Sequence, residues 1–334
     1  MPLRGGGDAW GMILRATVSA PVDLQPAIQA LKRELDAVIL AHYYQAGEIQ
    51  DAADFIGDSL QLAREAAKVS ARTIVFCGVH FMAETAKILC PDKLVLLPDL
   101  AAGCSLADSA PAADFARFVA AHPGHHVVTY VNSSAAVKAL SDYCCTSSNA
   151  VQVVNSIPRS VPVIFAPDRF LGDYVSRQTG RELVLWAGSC EIHELFSAQA
   201  ITAMQRAHPG AITLVHPECP APVRALGNVV GSTKALLEAV RNGPADGTWI
   251  VVTEPGIIHQ MRKVRPAGTF LMAPAEVRGG PDGACTSCNT CPHMRLNTLE
   301  KLYWCLRNRS PEITLEADLI RRARLPIERM LAIG

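Results

Sequence analysis

Three segments of this chain, each about a domain's length from the next, lie over one another almost residue for residue. That internal repeat limits the fold more than any other feature. The first copy runs VILAHYYQ (38–45), GDSLQLAREA from Gly57, IVFCGVHFMAETAK from Ile74 and KLVLLPDLAAGCS from Lys93, ending at Cys104 and Ser105. The second runs VVTYVNSS from Val127, TSSNAVQVV from Thr146, VIFAPDRFLGDYVS from Val163 and ELVLWAGSC ending at Cys190. The third runs ITLVHPEC from Ile212, GSTKALLEAV from Gly231, IVVTEPGIIHQMRK from Ile250 and GTFLMAP from Gly268, then a longer loop with Cys285, Cys288 and Cys291. Ser59 and Ser147 are 88 positions apart, Ser147 and Ser232 85. Solenoid and propeller units repeat every 20 to 50 residues or so, hence this period means repeated domains.

Within each copy, short apolar runs rich in Val and Ile alternate with stretches of helical period, the pattern of strands joined by crossover helices and so of parallel sheets. The runs carry few polar positions, so both sheet faces should be covered. Each first strand nevertheless ends in polar residues: His42 and Tyr44, Tyr130 and Asn132, His216 and Glu218. A single wet strand end carries little weight. Three at equivalent positions mark a binding region, because ligands of parallel sheets sit beyond the carboxyl ends of the strands. A second recurring element is Gly57-Asp58-Ser59, Thr146-Ser147-Ser148 and Gly231-Ser232-Thr233, each just before a helix. Such residues serve as N-caps. The same geometry offers backbone N–H groups and the positive end of a helix dipole to a carboxylate or phosphate. Three converging starts predict a small substrate with several acidic groups.

At 334 residues, 49% of them hydrophobic, the chain is long enough for two or three domains with full cores. Lys plus Arg equals Asp plus Glu at 31 each, which leaves no positive excess for a phosphate backbone and argues against nucleic acid as a partner. No apolar run approaches the roughly 20 residues that span a bilayer, and MPLRGGGDAWGMILRATVSAPVD at the start lacks the apolar core of a signal peptide. A cytoplasmic protein with no membrane partner is expected.

Eleven cysteines in such a compartment point to metal or redox chemistry and away from a disulfide framework. Cys77 lies in a strand pattern, and Cys90, Cys144, Cys145, Cys219 and Cys305 lie in or beside helical or loop segments; these six are expected to be small buried apolar residues. Cys104 in AGCS and Cys190 in AGSC close the third strand of their copies, in turns of small residues where backbone can approach a bound group closely. The third copy supplies C-x2-C-x2-C followed by proline. Zinc sites prefer a second pair elsewhere, and a bacterial ferredoxin loop would place a fourth cysteine where Arg295 stands. One cysteine per copy gives three thiolates for a 4Fe-4S cluster and leaves one iron open as a Lewis acid. In the third copy Cys291 is favoured, since the following proline stiffens its turn. Cys285 and Cys288 are then spare thiols in C-x2-C spacing, either a redox pair or alternative ligands.

With HYYQ-x2-EIQD-x2-DFIGDSL, FMAETAKIL, AGCSLAD, GSCEIHE, HPEC, GST and C-x2-C-x2-CP in this order, the sequence resembles the quinolinate synthase family over about residues 25 to 320. The resemblance implies an α/β fold of three similar αβα sandwich domains with parallel sheets, arranged with pseudo-threefold symmetry around a central, oxygen-sensitive 4Fe-4S cluster. The expected division is a tail at 1–24, domains at 25–110, 111–194 and 195–320, the last holding the three-cysteine loop, and a tail at 321–334. The implied reaction is a transferase-type condensation of iminoaspartate (iminosuccinate) with dihydroxyacetone phosphate to quinolinate, with loss of phosphate and two waters, in NAD biosynthesis. A transient contact with an L-aspartate oxidase is implied as well. Carried over by motif, the cluster ligands fall on Cys104, Cys190 and Cys291. The substrate-binding positions fall on His42, Ser59, Tyr130, Asn132, Ser147, His216, Glu218 and Thr233, and the acid/base pair on Tyr44 and Glu218. The chain departs from common members at Ala187, where proline is frequent, and in having three cysteines in the loop, which leaves the ligand choice among Cys285, Cys288 and Cys291 open.

The chemistry agrees with the residues. Two carboxylates and a phosphate suit three helix starts with neutral Ser and Thr donors. Carbon–carbon bond formation, a keto–aldehyde shift, ring closure and two dehydrations need proton transfer near neutral pH, which a Tyr/Glu pair supplies if burial and nearby charge bring its pKa values into range. Two other families with three domains and one cysteine each, a reductive dehydroxylase of isoprenoid synthesis and the diphthamide synthesis proteins, have motifs that this chain does not match. A non-catalytic iron–sulfur redox sensor is the alternative from another class, motivated by Cys285 and Cys288; it would leave the polar strand tips without a task.

Overall fold

The computed structural model describes residues 21, 23–275 and 289–333, and within them the repeat takes the form of three four-stranded sheets. The first holds β1 (Ala37–His42), β2 (Phe55–Gly57), β3 (Thr73–Cys77) and β4 (Leu94–Leu96) in the order β2-β1-β3-β4. The second holds β5 (His126–Tyr130), β6 (Tyr143–Cys145), β7 (Val163–Ala166) and β8 (Val184–Leu185) in the order β6-β5-β7-β8. The third holds β9 (Ile212–Val215), β10 (Val229–Val230), β11 (Thr248–Val252) and β12 (Thr269–Met272) in the order β10-β9-β11-β12. Every strand pair is parallel. In this order the chain reverses its direction of winding between the first and third strands of each copy, so the crevice of each sheet opens at the carboxyl ends of β1 and β3, β5 and β7, β9 and β11.

Apolar runs without alternating polar residues require cover on both faces, and each sheet has it. In β1, Val38 and Leu40 enter one core while Ile39 and Ala41 enter another. In β11, Trp249 and Val251 point one way and Ile250 and Val252 the other. In β5, Val128 and Tyr130 are separated from Val127 in the same manner. Helices cover these faces, so the layering is αβα in each copy.

The edge strands β2, β6 and β10 are two or three residues long, too short for a period to show in sequence. Cys144 and Cys145 therefore read as helical or loop residues but lie in β6, paired with Thr129 and Tyr130 of β5. All six cysteines expected to be buried are buried.

The C-terminal stretch returns to the first two sheets. The helix Leu299–Asn308 packs Leu302, Cys305 and Leu306 against Ile28 and Leu31 of the helix Leu24–Glu34 and against Ile39 and Ala41 of β1. Residues 321–332, set apart as a tail in the sequence, belong to the helix Ala317–Ala332, whose Ala323, Ile327 and Met330 enter the core shared by the first and second copies. Its final carbonyls are satisfied by Asn149, whose Nδ2 donates to Met330 O at 3.0 Å and Ile333 O at 2.8 Å. Among the described residues no helix is long and apolar enough to cross a membrane. Cys285 and Cys288, and nearly all of the tail 1–24, lie outside the described residues.

Candidate active site

The carboxyl ends of the three sheets face one cavity enclosing about 710 Å³, its mouth included. His42 and Tyr44 reach it from the end of β1, Tyr130 and Asn132 from β5, and His216 and Glu218 from β9. Ser59, Ser147 and Thr233 reach it from the three helix starts, and Cys104, Cys190 and Cys291 complete the lining. All the described residues singled out in the sequence are thus brought to one place. The Asn132 amide oxygen is buried there with no hydrogen-bond partner, a position that asks for a ligand or a water.

At the helix starts, capping and cavity-facing duties fall on neighbouring residues. Asp58 caps the helix Ser59–Lys68, accepting from Gln61 N at 2.9 Å while the Gln61 side chain accepts from Asp58 N at 3.1 Å. Ser232 caps the helix Thr233–Asn242 through Ala235 N at 3.3 Å. Because the cap is one residue earlier, Ser59 and Thr233 line the cavity with side chains free of capping, beside the first N–H groups that a helix leaves unpaired. In the second copy Asn149 precedes the helix Ala150–Ser156 but uses its side chain on Thr146 N, at 2.9 Å. The three starts touch: Ser148 Oγ lies 2.5 Å from Asp58 Oδ2 and 2.8 Å from Ser232 Oγ.

Beside the strand tips runs a chain of hydrogen bonds. Glu218 Oε2 is 3.0 Å from His193 Nδ1, His193 Nε2 is 2.9 Å from Thr253 Oγ1, and Thr253 Oγ1 is 2.5 Å from the Tyr44 hydroxyl. His193 Nδ1 faces both the Glu218 carboxylate and, at 3.3 Å, the Cys190 sulfur; with the Nδ1 proton directed to these acceptors, Nε2 is the acceptor, so Thr253 donates to His193 and Tyr44 donates to Thr253. Burial pushes the Tyr44 phenol well above its ordinary range, and Glu218 adds to this. Burial alone would raise Glu218; the adjoining His193 and His216, with hydrogen bonds from His193 and Tyr130, override it and keep the carboxyl ionised. Burial holds His42 and His216 down to about 3, so both are neutral imidazoles at physiological pH.

Comparison with known proteins decides the family. Residues 26–332 match the family model described as "Quinolinate synthetase A protein". Proteins named quinolinate synthase from Nostoc punctiforme and Synechococcus sp. are 60% identical over 314 residues and 58% identical over 320. The first alignment covers 94% of each chain, the second 96% of this chain and 98% of the relative. A third, from Microcystis aeruginosa, is 60% identical over 316 residues, 95% of this chain and 97% of its own. This chain belongs to the quinolinate synthetase A family.

For a member of the quinolinate synthetase A family, the cysteines decide whether a metal group fits. Cys104, Cys190 and Cys291 are partly exposed toward the cavity, whereas the other six described cysteines are buried. Each sulfur sits at the start of a tight turn and faces its backbone N–H groups: Leu106 and Ala107 at Cys104, His193 at Cys190, and His293 and Met294 at Cys291. Such a nest stabilises a negative sulfur. Burial nonetheless pushes Cys104 up to about 12, Cys291 to about 11 and Cys190 well above the thiol range. The three cavity-lining thiols are therefore poor nucleophiles but fit a metal group whose positive charge holds them as thiolates. A compact group able to hold a metal ion is also present, Cys190, His193 and Glu218, with ligand atoms within 4.8 Å of one another.

Among the residues at and beside this site, His193, Thr253, Glu254 and Arg295 were given no site role in the sequence. His193 lay in GSCEIHE and Thr253 and Glu254 in VVTEPG, at the ends of segments already aligned. Thr253 stands where the other copies have Cys77 and Ala166, a polar residue at the tip of the third aligned strand, and that contrast was the available signal. Arg295 pairs with Glu254 at 2.6 Å, and burial raises Glu254 to about 7 despite that partner.

Proposed function

We propose that this protein is a transferase-type quinolinate synthase that condenses iminoaspartate with dihydroxyacetone phosphate, releasing phosphate and two waters, as a cytoplasmic step of NAD biosynthesis. The observation that carries this reading is the Tyr44–Thr253–His193–Glu218 chain ending on the same cavity as three helix starts. It supplies proton transfer and anion recognition together, the two requirements of that reaction.

In this reading the Ser59, Ser147 and Thr233 hydroxyls and the neighbouring N–H groups hold the carboxylates and the phosphate. His42, His216 and Asn132 accept or donate at the polar groups between them. Tyr44 delivers and removes protons at the reacting carbons and oxygens. When it gives up its proton, Thr253 and His193 relay it, and Glu218 holds His193 in the required tautomer and stabilises the imidazolium, the logic of a hydrolase triad. The buried walls exclude water, which strengthens each of these interactions. Cys104, Cys190 and Cys291 would hold the 4Fe-4S cluster, which when bound supplies an open Lewis-acid iron for a substrate oxygen or carboxylate. Cys285 and Cys288 are the proposed redox pair, and a transient contact with an L-aspartate oxidase belongs to the same reading. A sensor without turnover has no use for the relay.

The test is quinolinate formation by anaerobically reconstituted protein supplied with iminoaspartate and dihydroxyacetone phosphate. Steady production supports the proposal. A fully loaded protein that consumes neither substrate overturns it.

A further inference from the structure

The helix Gly47–Ala52 carries a buried glutamine that none of the chemistry above uses. Gln50 Nε2 donates to Tyr43 O at 3.0 Å and Gln45 O at 2.9 Å, the two carbonyls that flank Tyr44, and to Gly256 O at 2.9 Å in the turn after Thr253. Its Oε1 accepts from Gln260 Nε2 at 2.8 Å. Two N–H groups thus face three carbonyls, and the reversed amide would set oxygen against all three; the network fixes the orientation. Gln50 is 1% exposed, so each of these groups depends on protein partners.

The two turns also touch directly. A Cβ on Gly256 would stand 2.7 Å from the Tyr44 carbonyl carbon and oxygen, and one on Gly47 would stand 2.7 Å from the His259 ring. Next to Gln50, Asp51 Oδ1 accepts from His259 Nε2 at 2.8 Å and pairs with Lys263. From the other side Glu254 Oε2 accepts from Gly256 N at 2.6 Å while Oε1 pairs with Arg295, four residues beyond Cys291. The backbone that bears Tyr44 is therefore bracketed on both sides by one carboxamide and joined through Gly256 and Glu254 to the Cys291 turn.

We propose that Gln50 is a positioning residue of the proton relay, clasping the Tyr44 turn of the first copy to the Thr253–Gly256 turn of the third. Tyr44 and Thr253 come from different sheets, and their 2.5 Å contact has no shared backbone to maintain it. Gln50 supplies that constraint, and the inference rests on the relay proposed above. A displacement of about 1 Å at such a contact costs on the order of 100-fold in rate.

Gln50→Met keeps the length of the side chain and removes its hydrogen bonds. Gly256→Ala pushes the same junction apart by driving a methyl against the Tyr44 carbonyl and the Glu254 carboxylate while leaving the Gln50 side chain in place, and serves as well if the first variant folds poorly. Both are examined as reconstituted holoenzyme labelled with 3-fluorotyrosine, with the position-44 resonance assigned through Tyr44→Phe. The expected result is a fall in kcat of about 10- to 100-fold, KM within about twofold, and a shifted or broadened fluorine resonance at position 44. An unchanged resonance in both variants overturns the proposal, whatever the rate. A moved resonance with unchanged turnover upholds the clasp and removes Tyr44 from the chemistry instead.

Discussion

The Tyr130 hydroxyl donates a 2.6 Å hydrogen bond to Glu218 Oε1, joining the tip of the second sheet to that of the third. Since His193 is at the other carboxylate oxygen, both Glu218 oxygens are engaged, and the residue is linked to Tyr44 through His193 and Thr253. Tyr130→Phe should cost about 1.5–3 kcal/mol, the usual worth of a hydrogen bond to a charged group, read as a lower denaturation midpoint together with a lower kcat.

Tyr44→Phe, Thr253→Val and His193→Gln should each lower kcat by about 100- to 10,000-fold with the cluster intact. Because the three act as one unit, any double variant should be barely slower than its worse single variant. Fully additive losses in a quinolinate assay would show three separate roles.

Cys104→Ser, Cys190→Ser and Cys291→Ser should each abolish or cripple cluster assembly, seen as loss of visible absorbance and iron content after anaerobic reconstitution. Cys144→Ser and Cys145→Ser, in the buried strand β6, should load normally and melt earlier. If Cys291→Ser loads and Cys288→Ser does not, the third ligand is misassigned.

Ser59→Ala, Ser147→Ala and Thr233→Ala remove the hydroxyls of three cavity-lining residues beside helix starts. Each should raise KM for one of the two anionic substrates by about 5- to 100-fold, in line with about 1–3 kcal/mol for an unpaired polar contact, with smaller changes in kcat. Steady-state kinetics with each substrate varied in turn would sort the three starts by substrate.

Acid should unfold the metal-free protein early. His42 and His216 are held near 3 by burial, whereas an unfolded imidazole titrates near 6.5, so on acidification the unfolded chain binds the protons first. The stability these neutral rings contribute is fully present above about pH 6.5 and is lost as pH falls toward 3, on the order of a few kcal/mol for each ring. Urea midpoints taken between pH 8 and 4 should fall steeply below 6.5. His216→Gln should flatten that slope.

The sheet architecture was legible because β1, β3 and their counterparts are long apolar runs at a fixed period. The short edge strands were not, since two or three residues cannot show alternation. The binding positions were legible because the repeat puts polar tips such as Tyr130 and Glu218 in register. His193 and Thr253 escaped because their significance lies in a hydrogen bond between residues 60 positions apart, which no local pattern encodes. Gln50 was visible only as part of a motif; its three carbonyl partners come from two copies, the first and the third, more than 200 positions apart in the case of Gly256.

The contact of Asp58, Ser148 and Ser232 brings the starts of three helices, and so their positive poles, close together. Like poles repel, and within that contact the Asp58 carboxylate is the one formal countercharge. A multiply charged guest therefore acts as a keystone: its negative charge offsets the mutual repulsion of three domains, and its grip on each tightens the grip of the others. In the proposed reaction, release of phosphate would remove part of that keystone. The poles would then push outward again, which would give the proposed loss of charge a mechanical outlet for letting the product go.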